Sequence, residues 1–320
     1  MQKIAIGTTG LSVTPLGFGT SALGDMPDTY GYGVSEQTAR ETLQCIFEGP
    51  VNLIDTSRNY GFGRSEARIG AALRERGGLP EGFVLSTKLD RDMETGRFDG
   101  DRARRSVEES LETLGIDRFQ ILHLHDPEHA RDLDEVRARD GAITALMRMQ
   151  EEGLVTATGL AMGRLDIMTA LLAEFPFDIA LTHNRYTLLN RSAEALLAQA
   201  AQAGCTVFNA APYAGGVLAK GSAEMPRITY QAADTAALAP VVAVESLCAS
   251  AGVAPGAVAL QFSMRAPRIA STIIGVSRPE RVQQTLEWAQ AEVPDALWEA
   301  LSDLPAEQTD PEANRTYKPG

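Results

Sequence analysis

Apolar and polar positions alternate with two different periods along most of this chain. Short apolar runs such as "VNLID" and "FQILHLH" are typical of strands. Segments such as "EQTARETLQCIFEG" lie between them, and there Ala39, Leu43 and Ile46 recur at helical spacing before Gly49 and Pro50 end the pattern. The sequence therefore predicts a regular succession of strands and helices from residue 36 onward.

Eight strands and eight helices follow from this pattern. The predicted strands cover residues 13–19, 51–55, 83–88, 119–125, 157–160, 179–182, 206–210 and 271–274. The predicted helices cover residues 36–48, 65–76, 101–114, 134–152, 165–174, 192–203, 240–264 and 279–289. Strict alternation requires parallel strands with right-handed crossovers, and eight such units are typical of the closed (β/α)8 TIM barrel. A doubly wound open sheet usually has fewer strands.

Three further segments complete this α/β interpretation. The amphipathic residues 293–304 predict a C-terminal helix. Residues 211–237, after the seventh strand, are rich in Gly, Pro and polar residues, and long loops of this kind often serve as functional flaps. The segment "YGFGRSEARIG" lacks the third glycine of a dinucleotide-binding fingerprint, so its glycines are interpreted as tight turns. We expect one barrel domain that covers residues 1–320.

The composition narrows the classes of function. The chain has 320 residues, a net charge of −13 and a pI near 4.9, which argues against nucleic acid or an anionic membrane as a partner. The start "MQKIAIGTTGL" lacks the charged and apolar parts of a signal peptide, and "AALAPVVAV" is too short to span a bilayer. Cys45, Cys205 and Cys248 occur singly, so neither a disulfide nor a metal site is predicted. We expect a cytoplasmic protein.

Three consecutive predicted strands each end in a polar residue, namely Asp55, Lys88 and His125. Tyr60 follows in the loop after the first of them, within "DTSRNY". Because the carboxyl ends of barrel strands converge on one face, we expect these four side chains to meet there. A phenol, a cation, a carboxylate and an imidazole suit proton transfer, so the set indicates an enzyme. His123, one layer deeper, is interpreted as a hydrogen-bonded interior residue.

The chain resembles the aldo-keto reductase superfamily in the order and spacing of its motifs. The segments that carry the resemblance are "IGTTGLSVTPLGFGTSALG", "DTSRNYGFGRSE", "STK", "LHDP" and "TIIGVSRPERV". They extend over essentially the whole chain, and the first looks like the family's N-terminal β-hairpin and first strand. The segments "ILHLHDPE", "THNRYTLLN" and "NAAPYAGGVLAKG" are closer to sugar-oxidising members of the L-galactose dehydrogenase and D-threo-aldose 1-dehydrogenase (L-fucose dehydrogenase) type.

The resemblance implies that Tyr60 moves the proton, that Lys88 and Asp55 support it, and that His125 orients the substrate oxygen. Bringing a tyrosine pKa from about 10 to neutrality requires roughly 4 kcal/mol. An ammonium about 4 Å away supplies about that much at an effective dielectric constant near 20. We therefore expect Lys88 to lower the pKa of Tyr60, and a neutral His125 to donate a hydrogen bond to the reacting oxygen.

The resemblance also implies NAD or NADP as the cofactor, although several positions depart from the commonest family pattern. The usual Ser-Asn pair after strand five reads Ala161 and Met162, and the usual glutamine after strand six reads His183. The tyrosine that stacks on the nicotinamide aligns with Ala210, and Tyr213 is the expected substitute.

At the adenosine end, Gly275 replaces a lysine that pairs with phosphate, whereas Arg281 is expected to meet a 2′-phosphate. We therefore expect NADP preference to be weakened rather than lost. The expected cofactor contacts are His183, Ala211, Pro212, Tyr213, Gly216, Leu218, Ile274, Gly275, Val276, Ser277, Arg281, Gln284 and Thr285.

The leading hypothesis is an NAD(P)-dependent enzyme that oxidises an aldose of the L-fucose, L-galactose or D-arabinose type at C1 to the lactone. Arg58, Asn59 and Tyr186 are the expected substrate contacts. A second hypothesis is a pyridoxal dehydrogenase or a general aldehyde or ketone reductase of the same superfamily. A third is a non-catalytic, redox-sensing regulatory subunit. The expected partner is a small sugar or carbonyl compound, and the expected assembly is a monomer or homodimer.

Overall fold

The computed structural model describes residues 1–315, and its central feature is a closed barrel of parallel strands. The strands in chain order are β1 (Ile4–Ala5), β2 (Ser12–Val13), β3 (Leu16–Gly19), β4 (Leu53–Asp55), β5 (Val84–Leu89), β6 (Phe119–His125), β7 (Val155–Ala161), β8 (Ile179–His183), β9 (Thr206–Ala210), β10 (Arg227–Ile228), β11 (Gln231–Ala232) and β12 (Ile269–Gly275). Around the barrel their order is β12, β3, β4, β5, β6, β7, β8, β9. The predicted (β/α)8 barrel is therefore confirmed, and β1 pairs with β2 as the N-terminal hairpin.

Helices follow the barrel strands and form the outer layer. They are α1 (Pro27–Tyr30), α2 (Glu36–Glu48), α3 (Arg64–Arg76), α4 (Gly100–Leu114), α5 (Leu133–Arg137), α6 (Ala142–Glu151), α7 (Leu165–Glu174), α8 (Glu194–Gln202), α9 (Val217–Lys220), α10 (Thr235–Ala251), α11 (Pro255–Met264), α12 (Pro279–Gln290) and α13 (Asp295–Ser302). The last of these is the predicted C-terminal helix. No single helix within residues 1–315 is long and apolar enough to cross a membrane, and only the bent pair α10 and α11 meets the length and composition criteria when taken together.

Two predicted helices are each split in the structure. The helix expected at 134–152 breaks between α5 and α6, where a Cβ on Gly141 would lie 2.3 Å from the carbonyl oxygen of Glu135. The helix expected at 240–264 breaks between α10 and α11, which are bent by 102°. Gly252 ends α10 in a left-handed conformation and Pro255 begins α11. Pro240 lies inside α10 without ending it.

The inside of the barrel changes from apolar at one end to polar at the other. Alternate side chains of each strand point inward, and Leu53, Val84 and Ile121 belong to an interior apolar cluster that the N-terminal hairpin closes. Two residues further along β4 and β5 the inward side chains are Asp55 and Ser86, which the register places side by side. The chemistry of the site is therefore concentrated at the carboxyl ends of the strands.

The outer helices pack on the barrel through the outward side chains of the strands. One large cluster joins Phe18, Ile54 and Leu122 of the strands to Leu43 of α2 and Leu146 of α6. Because this layer surrounds the barrel, each strand is held on both faces by buried side chains.

The segment predicted as a flap, residues 211–237, is partly regular. It contains a short 3₁₀ helix at Ala214–Gly216, the helix α9 and the two-residue strands β10 and β11, which pair as a hairpin. The C-terminal tail (residues 305–315) returns to the loop after β8, where Glu307 N–H donates to the Leu189 carbonyl and Arg191 N–H donates to the Glu307 carbonyl. Both segments therefore lie beside the carboxyl end of the barrel.

Candidate active site

Lys88 and Asp55 form a buried ion pair between the ends of β5 and β4. The Lys88 ammonium donates to Asp55 Oδ2 at 2.7 Å and to the carbonyl oxygen of Thr56 at 2.5 Å. The Ser86 hydroxyl donates to the other oxygen, Asp55 Oδ1, at 2.9 Å. Because both carboxylate oxygens and the ammonium have partners, each charge is compensated inside the barrel.

Tyr60 is brought over this pair by the tight loop after β4. A Cβ on Gly61 would lie 1.9 Å from the Gly24 carbonyl oxygen. The two segments are therefore so close that only glycine fits at position 61. Lys88 Nζ lies 4.8 Å from the centre of the Tyr60 ring. The His125 ring meets the Tyr60 ring edge-on, with 6.0 Å between the ring centres. The structure therefore brings the four predicted catalytic side chains together.

The environment of Tyr60 favours the protonated phenol. Burial, followed by the charge of Asp55, raises the pKa of Tyr60 well above its usual value. The Lys88 ammonium does not offset this, because it is directed to Asp55 and the Thr56 carbonyl. The expectation that Lys88 brings the pKa of Tyr60 toward neutrality is therefore wrong.

His125 has a close partner that the sequence analysis did not identify, the carboxylate of Asp90. His125 Nδ1 lies 2.6 Å from Asp90 Oδ1. The second oxygen, Asp90 Oδ2, accepts from the Ser57 hydroxyl at 2.9 Å and from the Asn59 N–H at 3.0 Å. Asp90 stands two residues after Lys88, and this position at a strand end is the signal that the sequence offered.

The carboxylates near His125 change its expected protonation state. Burial lowers the pKa of His125, but Asp126 and Asp90 outweigh burial, and the pKa of His125 is raised overall. The raised pKa therefore favours the protonated ring over the neutral His125 that was expected. His123 behaves as expected of an interior residue: its Nε2 lies 3.1 Å from the Ser86 hydroxyl, and burial lowers the pKa of His123 well below its usual value.

His183 lies in the same polar end of the barrel but is paired with the C-terminal tail. His183 Nε2 is 3.0 Å from Glu312 Oε2, and Arg185 donates to Glu312 at 2.8 Å and to Asp310 at 2.6 Å. Burial raises the pKa of Glu312, but His183 and Arg185 outweigh it, so the pKa of Glu312 is lowered well below its usual value. His183 is therefore engaged by Glu312 and does not line the open cavity described next, and its role as a cofactor contact stays a prediction.

A cavity of about 420 Å³ opens between the end of β12, the helix α12 and the segment after β9. Most of the predicted cofactor residues line it, namely Ala211, Tyr213, Gly216, Ile274, Gly275, Ser277, Arg281, Gln284 and Thr285. Tyr213 meets Trp288 of α12 edge-on at 5.9 Å between ring centres, so it stands at the α12 side of the cavity. The rim near the barrel mouth is formed by Tyr30 and Tyr230.

The charges and open space of this cavity fit a nucleotide that carries phosphates. Lys220, Arg278 and Arg281 supply positive charge in its lining. No atom lies within 4 Å of the place where a Cβ on Gly275 would project, so a ligand can approach the β12 backbone there. The N-terminus of α12, at Pro279, adds the favourable end of a helix dipole for an anion.

The remaining predicted contacts lie elsewhere. Leu218 and Val276 bury their side chains in hydrophobic clusters, and Pro212 is also buried, so none of the three presents its side chain to this cavity. Arg58 pairs with Glu109 of α4 at 3.3 Å, and Tyr186 stacks on Phe262 of α11 with ring centres 5.1 Å apart.

The structure gives partners for the three expected substrate contacts, whose role stays a prediction. Arg58 and Tyr186 have packing partners on the outer helices α4 and α11. Asn59 supports the site from below, because its backbone N–H binds Asp90. The polar groups that do stand near Tyr60 and His125 were not predicted as contacts: Asp126 Oδ2 is 3.6 Å from His125 Nε2.

Comparison with known proteins gives one family and several relatives. The family model described as "Aldo/keto reductase family" matches residues 15–304. The chain is similar to D-threo-aldose 1-dehydrogenase of a Pseudomonas species, with 29% identity that covers 93% of this chain and 96% of the relative. It is also similar to pyridoxal 4-dehydrogenase of Microbacterium luteolum, with 28% identity over 94% and 96% of the two chains. L-galactose dehydrogenase of Arabidopsis thaliana is 32% identical over 89% and 88%.

A solved structure shares the fold. The holo form of an aldo-keto reductase from Bacillus halodurans superimposes with a TM-score of 0.78, at 22% identity, over 99% of this chain and 100% of that one. This likeness concerns the architecture of the barrel and its helices.

Proposed function

Because the chain belongs to the aldo/keto reductase family, we propose that it is an NAD(P)-dependent oxidoreductase that oxidises an aldose at C1 to the lactone. The substrate class is that of L-fucose, L-galactose and D-arabinose, which share a configuration from C2 to C4. Relatives similar to this chain include two sugar dehydrogenases, at 29% and 32% identity over most of the chain.

The observation that carries the proposal is the assembly of Tyr60, Lys88, Asp55 and His125, with the Asp126 carboxylate beside His125. The Asp126 carboxylate lies beside the His125 ring, with 3.6 Å between Asp126 Oδ2 and His125 Nε2. Asn184 is buried and faces the Tyr230 hydroxyl, while its amide makes no hydrogen bond of standard geometry within residues 1–315. A carboxylate beside His125 and an unpaired amide beside the Tyr230 hydroxyl suit a ligand that offers several hydroxyl groups.

Each residue of the proposed mechanism acts at a stated atom. Tyr60 Oη, in its deprotonated form, takes the proton of the C1 hydroxyl. In the reverse direction, reduction, the Nε2–H of the protonated His125 ring donates to the same oxygen and stabilises the negative charge that develops there. Lys88 and Asp55 hold each other beneath the Tyr60 ring. When bound, the nicotinamide supplies the acceptor for the hydride from C1. Hydrolysis of the lactone drains the reaction toward oxidation.

The lining of the cavity supports the use of both nicotinamide nucleotides. Gly275 offers no charge where a lysine is usual, whereas Arg281, Arg278 and Lys220 remain available to phosphates. We infer that NAD is used competitively with NADP. The assignment of one domain to residues 1–320, a cytoplasmic location and a monomer or homodimer remain predictions.

A second candidate, oxidation of pyridoxal, is favoured by one feature of the mouth. Tyr30 and Tyr230 form an edge-on aromatic pair with ring centres 6.2 Å apart at the rim of the cavity. Such a wall suits a flat pyridine ring as well as the apolar face of a sugar. Similarity to a pyridoxal 4-dehydrogenase agrees with this candidate.

A spectrophotometric screen separates the candidates. The purified protein is given L-fucose, L-galactose, D-arabinose, their C2 epimers or deoxy forms, and pyridoxal, with NAD and with NADP at alkaline pH. We expect NAD(P)H formation with the three aldoses and a loss of at least about fivefold with the epimers, since each unpaired buried polar group costs about 1–3 kcal/mol. Turnover of pyridoxal alone would replace the sugar assignment. Efficient reduction of simple aromatic aldehydes, with no sugar oxidation, would indicate a general carbonyl reductase.

A further inference from the structure

We propose that Asp90 is a positioning residue that holds His125 by Nδ1–H, so that His125 Nε2 alone meets the reacting oxygen and changes from donor to acceptor when the ring loses its proton. This inference rests on the proposed function, because that function supplies the reacting oxygen. Its structural part, the form of the imidazole, is testable without any substrate.

The contacts of Asp90 require a proton on His125 Nδ1. A carboxylate only accepts hydrogen bonds, so the 2.6 Å contact between Asp90 Oδ1 and His125 Nδ1 requires an N–H at Nδ1. Asp90 Oδ2 already accepts from the Ser57 hydroxyl and the Asn59 N–H, which favours the ionised carboxylate. The backbone N–H of Asp90 donates to Ser106 Oγ at 3.0 Å, so the residue is anchored to α4 as well.

This contact determines what His125 Nε2 can do. A neutral imidazole carries one N–H, and here that proton is at Nδ1, so the neutral ring presents a bare Nε2 that only accepts. The protonated ring presents Nε2–H, which donates to a carbonyl or alkoxide oxygen. Nε2 lies on the side of Asp126, at 3.6 Å from its Oδ2, toward the open end of the barrel. One nitrogen therefore serves both directions of a reversible oxidation.

The surrounding charges favour the protonated ring. His125 is faced by Asp90 from the loop after β5, by Asp126 at the end of β6, by Lys88 of β5 and by Tyr60 from the loop after β4. Its neighbours on the β6 side are His123 and His129. The two carboxylates, of Asp90 and Asp126, raise the pKa of His125 and the Lys88 ammonium lowers it, in agreement with the raised pKa overall. Burial alone would raise the pKa of Asp90, but His125 and Ser57 outweigh it and lower the pKa of Asp90 overall.

The test is a nitrogen NMR titration of the full chain labelled with ¹⁵N-histidine. The chain has only four histidines, and single glutamine substitutions of His125, His129 and His183 assign three of the signals and leave that of His123. We expect the His125 signal to show two protonated nitrogens near neutral pH and the Nδ1–H form after deprotonation. A neutral His125 in the Nε2–H form would overturn the proposal.

Three variants separate positioning from charge. Asp90→Asn is expected to lower the titration midpoint of His125 by about one pH unit or more and to abolish the preference for Nδ1–H. Asp126→Asn removes a charge on the other side of the ring, so we expect a lower midpoint with the Nδ1–H form kept. Asp92→Asn, in the same loop as Asp90 but turned to its own backbone at Thr95, should leave both readouts unchanged. An unshifted His125 in a folded Asp90→Asn protein would refute the role of Asp90.

A kinetic readout connects the pair to the reaction. In the reductive direction, the rate should fall at high pH when His125 loses its proton. In Asp90→Asn this fall in the profile of rate against pH should move to lower pH by the same amount as the NMR midpoint. If the NMR results agree and no aldose, pyridoxal or aldehyde is turned over, the proposed function fails while the assignment of the Nδ1–H form stands. If turnover is found but this fall does not move, the proposal for Asp90 fails.

Discussion

Lys88 illustrates why single residues of this site are hard to replace. It is 2% exposed and its ammonium is compensated by Asp55 and the Thr56 carbonyl. Removal of one member of a buried ion pair leaves the other charge uncompensated and costs several kcal/mol. A loss of activity in Lys88→Met therefore would not distinguish chemistry from unfolding. Tyr60 is the better probe, because a phenylalanine keeps its ring and its packing.

Tyr60→Phe should lower turnover by roughly 10²–10⁴-fold, because only the transferable proton is lost. The dissociation constants of NAD and NADP, measured by quenching of tryptophan fluorescence, should change less than twofold to threefold, since Tyr60 does not line the cavity of the predicted cofactor contacts. Tyr32→Phe, a change of an exposed phenol at the rim, is the matched control. Wild-type turnover in Tyr60→Phe would exclude Tyr60 as the group that moves the proton.

Sugar oxidation should accelerate as the pH rises from about 7 to about 10. The pKa of Tyr60 is raised above its usual value of about 10, so Tyr60 is protonated below that range and accepts a proton only as pH increases. Reduction should show the opposite trend, because it requires the protonated phenol and the protonated His125. Profiles of kcat/KM against pH in both directions test this. An oxidation rate that falls between pH 7 and 9 would contradict the assignment of Tyr60 as the base.

Arg281→Ala should weaken NADP far more than NAD. Arg281 lines the cavity beside Gln284 of α12, and a charged hydrogen bond to a phosphate contributes roughly 1.5–3 kcal/mol, which is about tenfold to a hundredfold in affinity. Fluorescence titration follows the binding, since Trp288 lines the same cavity. Arg104→Ala, which removes an exposed arginine on α4, is the control. Equal losses for both nucleotides would place Arg281 away from the 2′-phosphate.

Among the elements, α3 holds an unusual buried carboxyl against the barrel. Glu66 is fully buried and accepts hydrogen bonds from the Thr87 hydroxyl of β5 at 2.6 Å and the Ser110 hydroxyl of α4 at 3.0 Å. Burial raises the pKa of Glu66 to about 7, and the two hydroxyls offset only part of that effect. One side chain thus links two helices to the strand that carries Lys88.

Glu66 makes the stability of these elements depend on pH. Its pKa is raised in the folded state, so between its ordinary value and about 7 the folded protein binds more protons than the unfolded chain. The contribution is therefore favourable at low pH and is lost as pH rises through about 7. In Glu66→Gln the free energy of unfolding should fall less between pH 5 and 8 than in the wild type, by roughly 2–3 kcal/mol.

Urea unfolding at several pH values measures this difference. Glu108→Gln, an exposed carboxyl of α4, serves as the control and should keep the wild-type dependence. If Glu66→Gln and the wild type show parallel curves, Glu66 is ionised in the folded state over the whole range.

On the scale of the whole molecule, the C-terminal tail connects the end of the chain to the mouth of the barrel. Arg185 binds Asp310 and Glu312, His183 binds Glu312, and the Arg315 guanidinium lies 4.7 Å from the Tyr230 ring centre. Tyr230 also lines the cavity, so we expect the position of the tail to affect ligand binding there.

Glu312→Gln should release the tail and raise the KM for the sugar by about tenfold. The loss of charge-assisted hydrogen bonds worth roughly 1.5–3 kcal/mol increases local opening by about tenfold to a hundredfold. Trypsin cleavage after Arg315, followed by mass spectrometry, reports that opening. The lowered pKa keeps Glu312 ionised well below neutral pH, so the difference from the wild type should be the same at about pH 7 and about pH 8. Glu280→Gln, an exposed change on α12, is the control. Unchanged cleavage in Glu312→Gln would show that other contacts hold the tail.

Local patterns in the sequence determined the barrel and the order of its chemistry. The period of apolar residues changes between strand and helix within a few positions, so the strands and their polar ends at Asp55, Lys88 and His125 were predictable. The helix breaks at Gly141 and Gly252 were not predicted. The first depends on the close approach of Gly141 to the backbone of α5, and the second on the left-handed conformation of Gly252. Neither feature changes the spacing of apolar residues.

Only the tertiary structure decided the partners and the protonation of the site. Asp90 and His125 are 35 residues apart in the chain, and Arg185 and Glu312 are 127 apart. The period of apolar residues shows which face of a segment is buried. It does not show which distant carboxylate contacts which basic side chain. The pKa of Tyr60 likewise follows from how completely the fold buries it and where Lys88 points, and those are properties of the closed barrel rather than of any segment.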